Sequence, residues 1–149
     1  MTKYVLDTNL YVRAIRSVEQ AAELERFYAA ALPFIYLSAV VVPELLAGAT
    51  DARKREAVER ALVRPFLRRG RVLTPSFGAW HAVGRVLADL FAQGFRPAQA
   101  KPSFTNDVLL AVSCRENGAA VVTDNQADFE RIRTVLDFEF VPPWPASPR

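Results

Sequence analysis

Cysteine and histidine are almost missing from this chain of 149 residues, which holds one of each, Cys114 and His81. A lone cysteine excludes an intrachain disulfide and suits a reducing cytoplasm. It also excludes cysteine-based zinc sites, while the single histidine removes paired-histidine acid–base chemistry and any histidine-rich metal cage. No long hydrophobic run is present. The longest largely apolar stretch, Phe34 to Pro43, is about half of the roughly 20 residues that cross a bilayer. Asp7 interrupts the apolar opening, so neither a signal-peptide core nor a membrane segment is expected. Glycine is scarce, at six residues, and no glycine-rich loop that could cradle a nucleotide phosphate follows any strand-like run. Nor does one sign of charge dominate. Nineteen Lys and Arg oppose sixteen Asp and Glu, a net charge of +3. That balance is compatible with a polyanionic partner without requiring one.

What is present is a globular composition, 51% hydrophobic and 23% charged, at a length that fits one domain. Short β-type runs alternate with helical stretches. Tyr4-Val5-Leu6 ends at Asp7, Phe34 to Leu37 ends at Ser38, Val72-Leu73 ends at Thr74-Pro75, and Ala119 to Val122 ends at Thr123-Asp124. Phe138 to Val141 supplies a fifth candidate strand. Between them the period is helical over Val18–Leu32, Ala39–Ala49 behind Ser38 as N-cap, Asp51–Arg69, Ser76–Gln93 behind Thr74-Pro75 as cap and first-turn proline, and Thr105–Asn117. Strands alternating with helices predict an α/β fold whose central parallel sheet, of four to five strands, is covered on both faces. The expected domain is residues 1–141. Residues 142–149 hold four of the ten prolines and read as an extended or loosely packed tail, and Gly94 to Pro102 as a loop.

In open parallel sheets, ligands bind beyond the carboxyl ends of the strands. Asp7, Ser38, Thr74 and Thr123-Asp124 occupy those ends. Glu44 lies six residues past Ser38, and Asp107 sits in the first turn of the helix feeding the fourth strand. Asn9, Asn106, Asn125 and Asp128 lie close by in sequence. Singly, each acid has an ordinary explanation: Asp7 as a turn or cap, Asp107 against a helix dipole, Asp124-Asn125 as a turn, Asp128 as an N-cap. Glu44, set among Val40, Val41, Val42, Leu45 and Leu46, needs a partner whatever it does. Jointly, they bring carboxylates from four distant segments to one edge of the sheet. Such a cluster repels itself unless protons or a cation neutralise it. Oxygen ligands without His or Cys favour a hard ion, Mg²⁺ or Mn²⁺, which activates water for in-line attack on phosphate.

Four stretches in register resemble the PIN-domain nucleases, and within them the VapC-type toxins: Val5-Leu6-Asp7-Thr8-Asn9, Glu44-Leu45-Leu46-Ala47-Gly48-Ala49, Asn106-Asp107-Val108-Leu109-Leu110-Ala111, and Gly118 through Phe129. Val72 to Ser76 with Trp80 is similar to the family's middle strand and helix. The likeness runs from Tyr4 to about Ile132. It implies a PIN-like three-layer α/β/α fold and a Mg²⁺-dependent endoribonuclease, with Mn²⁺ able to substitute. Its products would bear a 5′-phosphate and a 3′-hydroxyl, and its partners would be RNA, a protein antitoxin and a second copy of the chain. Asp7 and Asp107 would hold the principal ion, and Glu44 would complete the pocket. The fourth position stays open among Asp124, Asn125 and Asp128. Thr8, Asn9 and Thr123 would position water or phosphate oxygens.

Arg96 and Lys101, in the loop before the Asp107 helix, and Arg13, one turn past Asn9, are the candidate RNA contacts. Arg53, Arg60, Arg64, Arg68 and Arg71 share one helical face, which reads as solvated or partner-facing because Glu56 and Glu59 interleave with it. His81 and Cys114 read as packing residues. Two alternatives stand beside the nuclease. A non-catalytic PIN-like module for RNA binding or scaffolding would need none of the acids. A phosphohydrolase with Asp7 as nucleophile would need a second Asp two residues later, where Asn9 stands.

Overall fold

The computed structural model describes residues 2–96 and 100–146, so part of the expected 94–102 loop and the last three residues of the tail lie outside the described residues. Five short, apolar segments form one all-parallel sheet: β1 (Lys3–Leu6), β2 (Ile35–Ser38), β3 (Val72–Leu73), β4 (Ala119–Val122) and β5 (Phe140–Val141). Their order is β3-β2-β1-β4-β5. β1 is central, pairing Tyr4 with Ile35 on one side and Ala120 on the other. Val5, Leu6, Ile35, Leu37, Val121 and Val122 are fully buried, as expected of strands covered on both faces.

The helices are α1 (Thr8–Arg16), α2 (Val18–Ala31), α3 (Val41–Gly48), α4 (Ala52–Val58), α5 (Arg64–Arg68), α6 (Phe77–Ala92), α7 (Phe104–Glu116) and α8 (Gln126–Arg133). α4 and α5 form one rod interrupted by a π-helical turn, Glu59–Val63. Pro65 follows at the start of α5, and a widened turn accommodates the ring and the missing amide that would break an ordinary helix there. Right-handed crossovers place α1 to α5 on the face spanned by β1, β2 and β3, and α6 to α8 on the other. The packing of α1 on α2 and α3, and of α7 on α6 and α8, agrees. The chain leaves β1 toward β2 but returns from β3 to the far side of β1. The order of travel therefore reverses between β1 and β4, which opens a crevice beyond their carboxyl ends.

Three local expectations need correction. Ser76, not Thr74, caps α6, its hydroxyl accepting the Ala79 amide at 3.0 Å, and Pro75 lies ahead of the helix. Ser38 does not cap α3. Its Oγ accepts the Val40 amide at 3.1 Å in a tight turn, and the helix begins only at Val41. The tail is not loose over the residues described. Trp144 stacks at 5.2 Å on Phe27 and its indole N–H donates to Glu23 at 3.3 Å, while the Tyr4 hydroxyl donates to the Ala146 carbonyl at 3.4 Å. An indole half-covered by an aromatic neighbour anchors a proline-rich end that has no ladder of its own.

Candidate active site

Asp7 ends β1, and its amide still belongs to the sheet, donating to the Val122 carbonyl at 2.9 Å. The next residue starts α1, so the carboxylate is both strand terminus and helix cap. Its Oδ1 accepts the Thr8 amide at 2.8 Å, and its Oδ2 accepts the Thr123 hydroxyl at 2.9 Å from the end of β4. Only 4% of Asp7 is exposed. Burial raises its pKa, and the Thr123 hydroxyl, the Lys101 charge and the Thr8 amide only partly oppose that.

Asp107, in the first turn of α7, is 5% exposed and faces the same crevice from the opposite face of the sheet. Burial, with the neighbouring Asp7 charge second, pushes its pKa up to about 7 despite Lys101. Its Oδ2 is fully buried without a hydrogen-bond partner among the described residues, and the Lys101 ammonium meets it as an ion pair at 3.1 Å. The same ammonium stands 3.5 Å from Asp128 Oδ2 on α8. Asn125 donates through its side chain to that Asp128 oxygen at 3.0 Å and through its backbone to Thr123 Oγ1 at 3.0 Å. Glu44, half-buried on α3, accepts the Asn106 side-chain amide at 3.2 Å and so is tied to the residue beside Asp107. Acids from the end of β1, α7 and α8 thus interact at one edge of the sheet, with Glu44 on α3 linked to them through Asn106.

The donor set is oxygen only, and at its centre lies a buried carboxylate oxygen whose compensation is the Lys101 ammonium. Both features suit a hard divalent cation. Among the described residues no three acidic side chains stand close enough to enclose an ion as placed, and a protein ammonium stands between two of them. The chemistry of the donor set fits a metal, while the cation the acids meet in this structure is the Lys101 ammonium.

The PIN-domain profile matches residues 4–135, nearly the whole chain and all of these acids. The chain belongs to the PIN-domain family. It is 30% identical over 132 residues to the tRNA(fMet)-specific endonuclease VapC of Shigella flexneri, covering 89% of this chain and 93% of that one. Against ribonuclease VapC2 of Haemophilus influenzae the identity is 33% over 136 residues, with the same coverage. The DNA-bound VapBC complex of Salmonella typhimurium contains a chain that superposes with a TM-score of 0.71 at 25% identity, covering 95% of this chain and 98% of that one. PIN-domain nucleases use a divalent metal ion. Membership also removes the phosphohydrolase alternative.

The remaining candidates sort by where the PIN fold puts them. Of the three residues open for the fourth position, Asp128 joins the cluster and Asn125 orients it. Asp124 turns away to an ion pair with Arg13 at the rim. Asp128 is not a helix cap, since α8 begins two residues earlier at Gln126, with Asn125 as its N-cap. Thr123 is fully buried and its hydroxyl proton goes to Asp7, so it positions a carboxylate rather than water or phosphate. Thr8 is buried at the start of α1, and Asn9 is exposed beside it. Arg96 donates to the Phe91 carbonyl at 3.3 Å at the end of α6. Lys101, expected at RNA, faces the carboxylates instead. On the basic face, Arg64 grips Glu56 through two bonds of 2.7 and 3.0 Å, in keeping with a solvated surface. Asn106 is the site residue the sequence reading gave no role; its signal is a polar side chain next to Asp107 on an otherwise apolar helix.

Proposed function

We propose that this PIN-domain chain is a Mg²⁺-dependent endoribonuclease, with Mn²⁺ able to substitute, and the toxin of a VapBC-type pair acting in the cytoplasm. The observation that carries the reading is the meeting of Asp107 and Asp128 on one cation, within the electrostatic reach of Asp7, at the β1/β4 switch point, in a chain 30% identical to a tRNA-cleaving VapC. Asp7 and Asp107 hold the ion. When bound, the ion lowers the pKa of water and neutralises charge on the phosphate undergoing attack. Thr123 and the Thr8 amide fix Asp7 so that its acceptor lobes point outward. Asn106 fixes Glu44, which receives a proton from the attacking water, and Asn125 fixes Asp128 at the opposite wall. Arg13 and Arg96 supply positive charge round the crevice for an RNA backbone.

An apolar groove of about 410 Å³ runs between α1, α2, α3 and α4, lined by Tyr11, Ile15, Leu24, Leu45, Val58 and Leu62. Ile15 is 63% exposed there. We assign the groove to an apolar antitoxin segment, because similar structures are toxin–antitoxin complexes. A second copy is the other expected partner, and Phe77 and Trp80, exposed together on α6, supply an apolar face for it. No helix among the described residues is long and apolar enough to cross a membrane. The test is cleavage of total RNA with mapped ends: metal-dependent cuts that leave 5′-phosphates and disappear in Asp7→Asn support the reading. Cutting that persists in a chelator, or in the variant, overturns it.

A further inference from the structure

The segment leading into α7 carries a lysine whose side chain turns inward. Its backbone is fixed, because the Lys101 carbonyl accepts the Phe104 amide at 3.0 Å. Its side chain is 36% exposed and flexible, a compact charge on a four-carbon stem that enters the site from the rim. The acids it meets are not equivalent. Asp7 spends its oxygens on the Thr8 amide and the Thr123 hydroxyl, and Asp128 Oδ2 is also held by Asn125. Asp107 Oδ2 has no hydrogen-bond partner, so the ammonium at 3.1 Å is what compensates it. Asp128 stands 3.5 Å from that ammonium as a second acceptor. When all three are ionised, the carboxylates against one ammonium leave two negative charges, the amount a divalent cation cancels. Asp107 Oδ2 is the oxygen both cations need.

We propose that Lys101 is a tethered counter-ion that holds Asp107 until a divalent ion takes it and then passes to Asp128, so that the chain's own lysine sets the metal affinity of the site. This rests on the reading that Asp7 and Asp107 hold the ion. Lys101→Met removes the charge but keeps most of the stem, and the whole chain is titrated with Mn²⁺ by calorimetry and melted in EDTA. Losing a competing positive charge tightens Mn²⁺ binding about tenfold. Losing the counter-charge lowers the EDTA melting temperature by several degrees, and saturating Mn²⁺ erases that gap. Lys101→Arg, which keeps the charge, retains the wild-type melting temperature in EDTA. A dissociation constant unchanged or weakened in Lys101→Met, or an unchanged EDTA melting temperature, overturns the inference. A wild-type chain that binds no Mn²⁺ overturns the metal reading itself, which separates the two failures.

Discussion

Replacing Asp107 with Asn should stabilise the metal-free protein at alkaline pH. Burial and the nearby Asp7 raise the Asp107 pKa from 3.8 to about 7. Well below pH 4 the carboxyl is protonated in both states and its burial costs little. As pH climbs from there to about 7 the unfolded chain ionises while the folded one resists, so stability falls, and above about 7 the full penalty is present. At roughly 1.4 kcal/mol for each pH unit between the two values, the deficit approaches about 4 kcal/mol near pH 8. An amide recovers most of it, less about 1–2 kcal/mol for imperfect hydrogen bonding in the buried site. The net gain of about 2–3 kcal/mol should raise the melting temperature by roughly 5–10 °C for a chain of this size. Calorimetry in EDTA near pH 8 and near pH 4.5 reads both ends, and the gap should shrink to about 1 kcal/mol or less at the acidic end. An Asn variant that melts below wild type near pH 8, or a difference that ignores pH, would refute the claim that Asp107 is held ionised at a cost.

Four further outcomes follow from the same geometry. Thr123→Val removes the hydroxyl that holds Asp7; it should cost about 1–3 kcal/mol in chemical denaturation and lower cleavage at least tenfold. Asn106→Ala frees Glu44 without opening the core, so kcat should fall while the melting temperature moves by only a degree or two. Protons compete with metal for Asp107, so Mn²⁺ binding measured by calorimetry should weaken steadily as pH drops below about 7, and a flat profile from pH 8 to 6 would count against that residue as a ligand. Ile15→Glu on the apolar groove should abolish co-purification with a co-expressed antitoxin while leaving RNA cleavage intact.

Four of the strands are legible because each is a short apolar run closed by a polar residue, and the burial of β1, β2 and β4 on both faces leaves no alternation to mislead. Asp7, Glu44 and Asp107 could be chosen because polar groups at strand ends or inside apolar helices need a reason to be there. Ser38 and Thr74 look like caps in the sequence because a short oxygen-bearing side chain serves a turn or a helix start equally well, and only the backbone decides. Lys101 read as an RNA contact since charge along a loop carries no direction. Its inward turn depends on where α7 and α8 bring Asp107 and Asp128, a tertiary fact. The docking of Trp144 on Phe27 is of the same kind, linking positions far apart that no local pattern connects.

The account stands on carboxylates from separate segments gathering round one divalent ion. Anomalous scattering from crystals soaked in Mn²⁺ measures this directly. A single strong peak about 2.1 Å from oxygens of both Asp7 and Asp107 is the predicted result. Clear density for these side chains with no peak between them, or a peak elsewhere on the molecule, would contradict it.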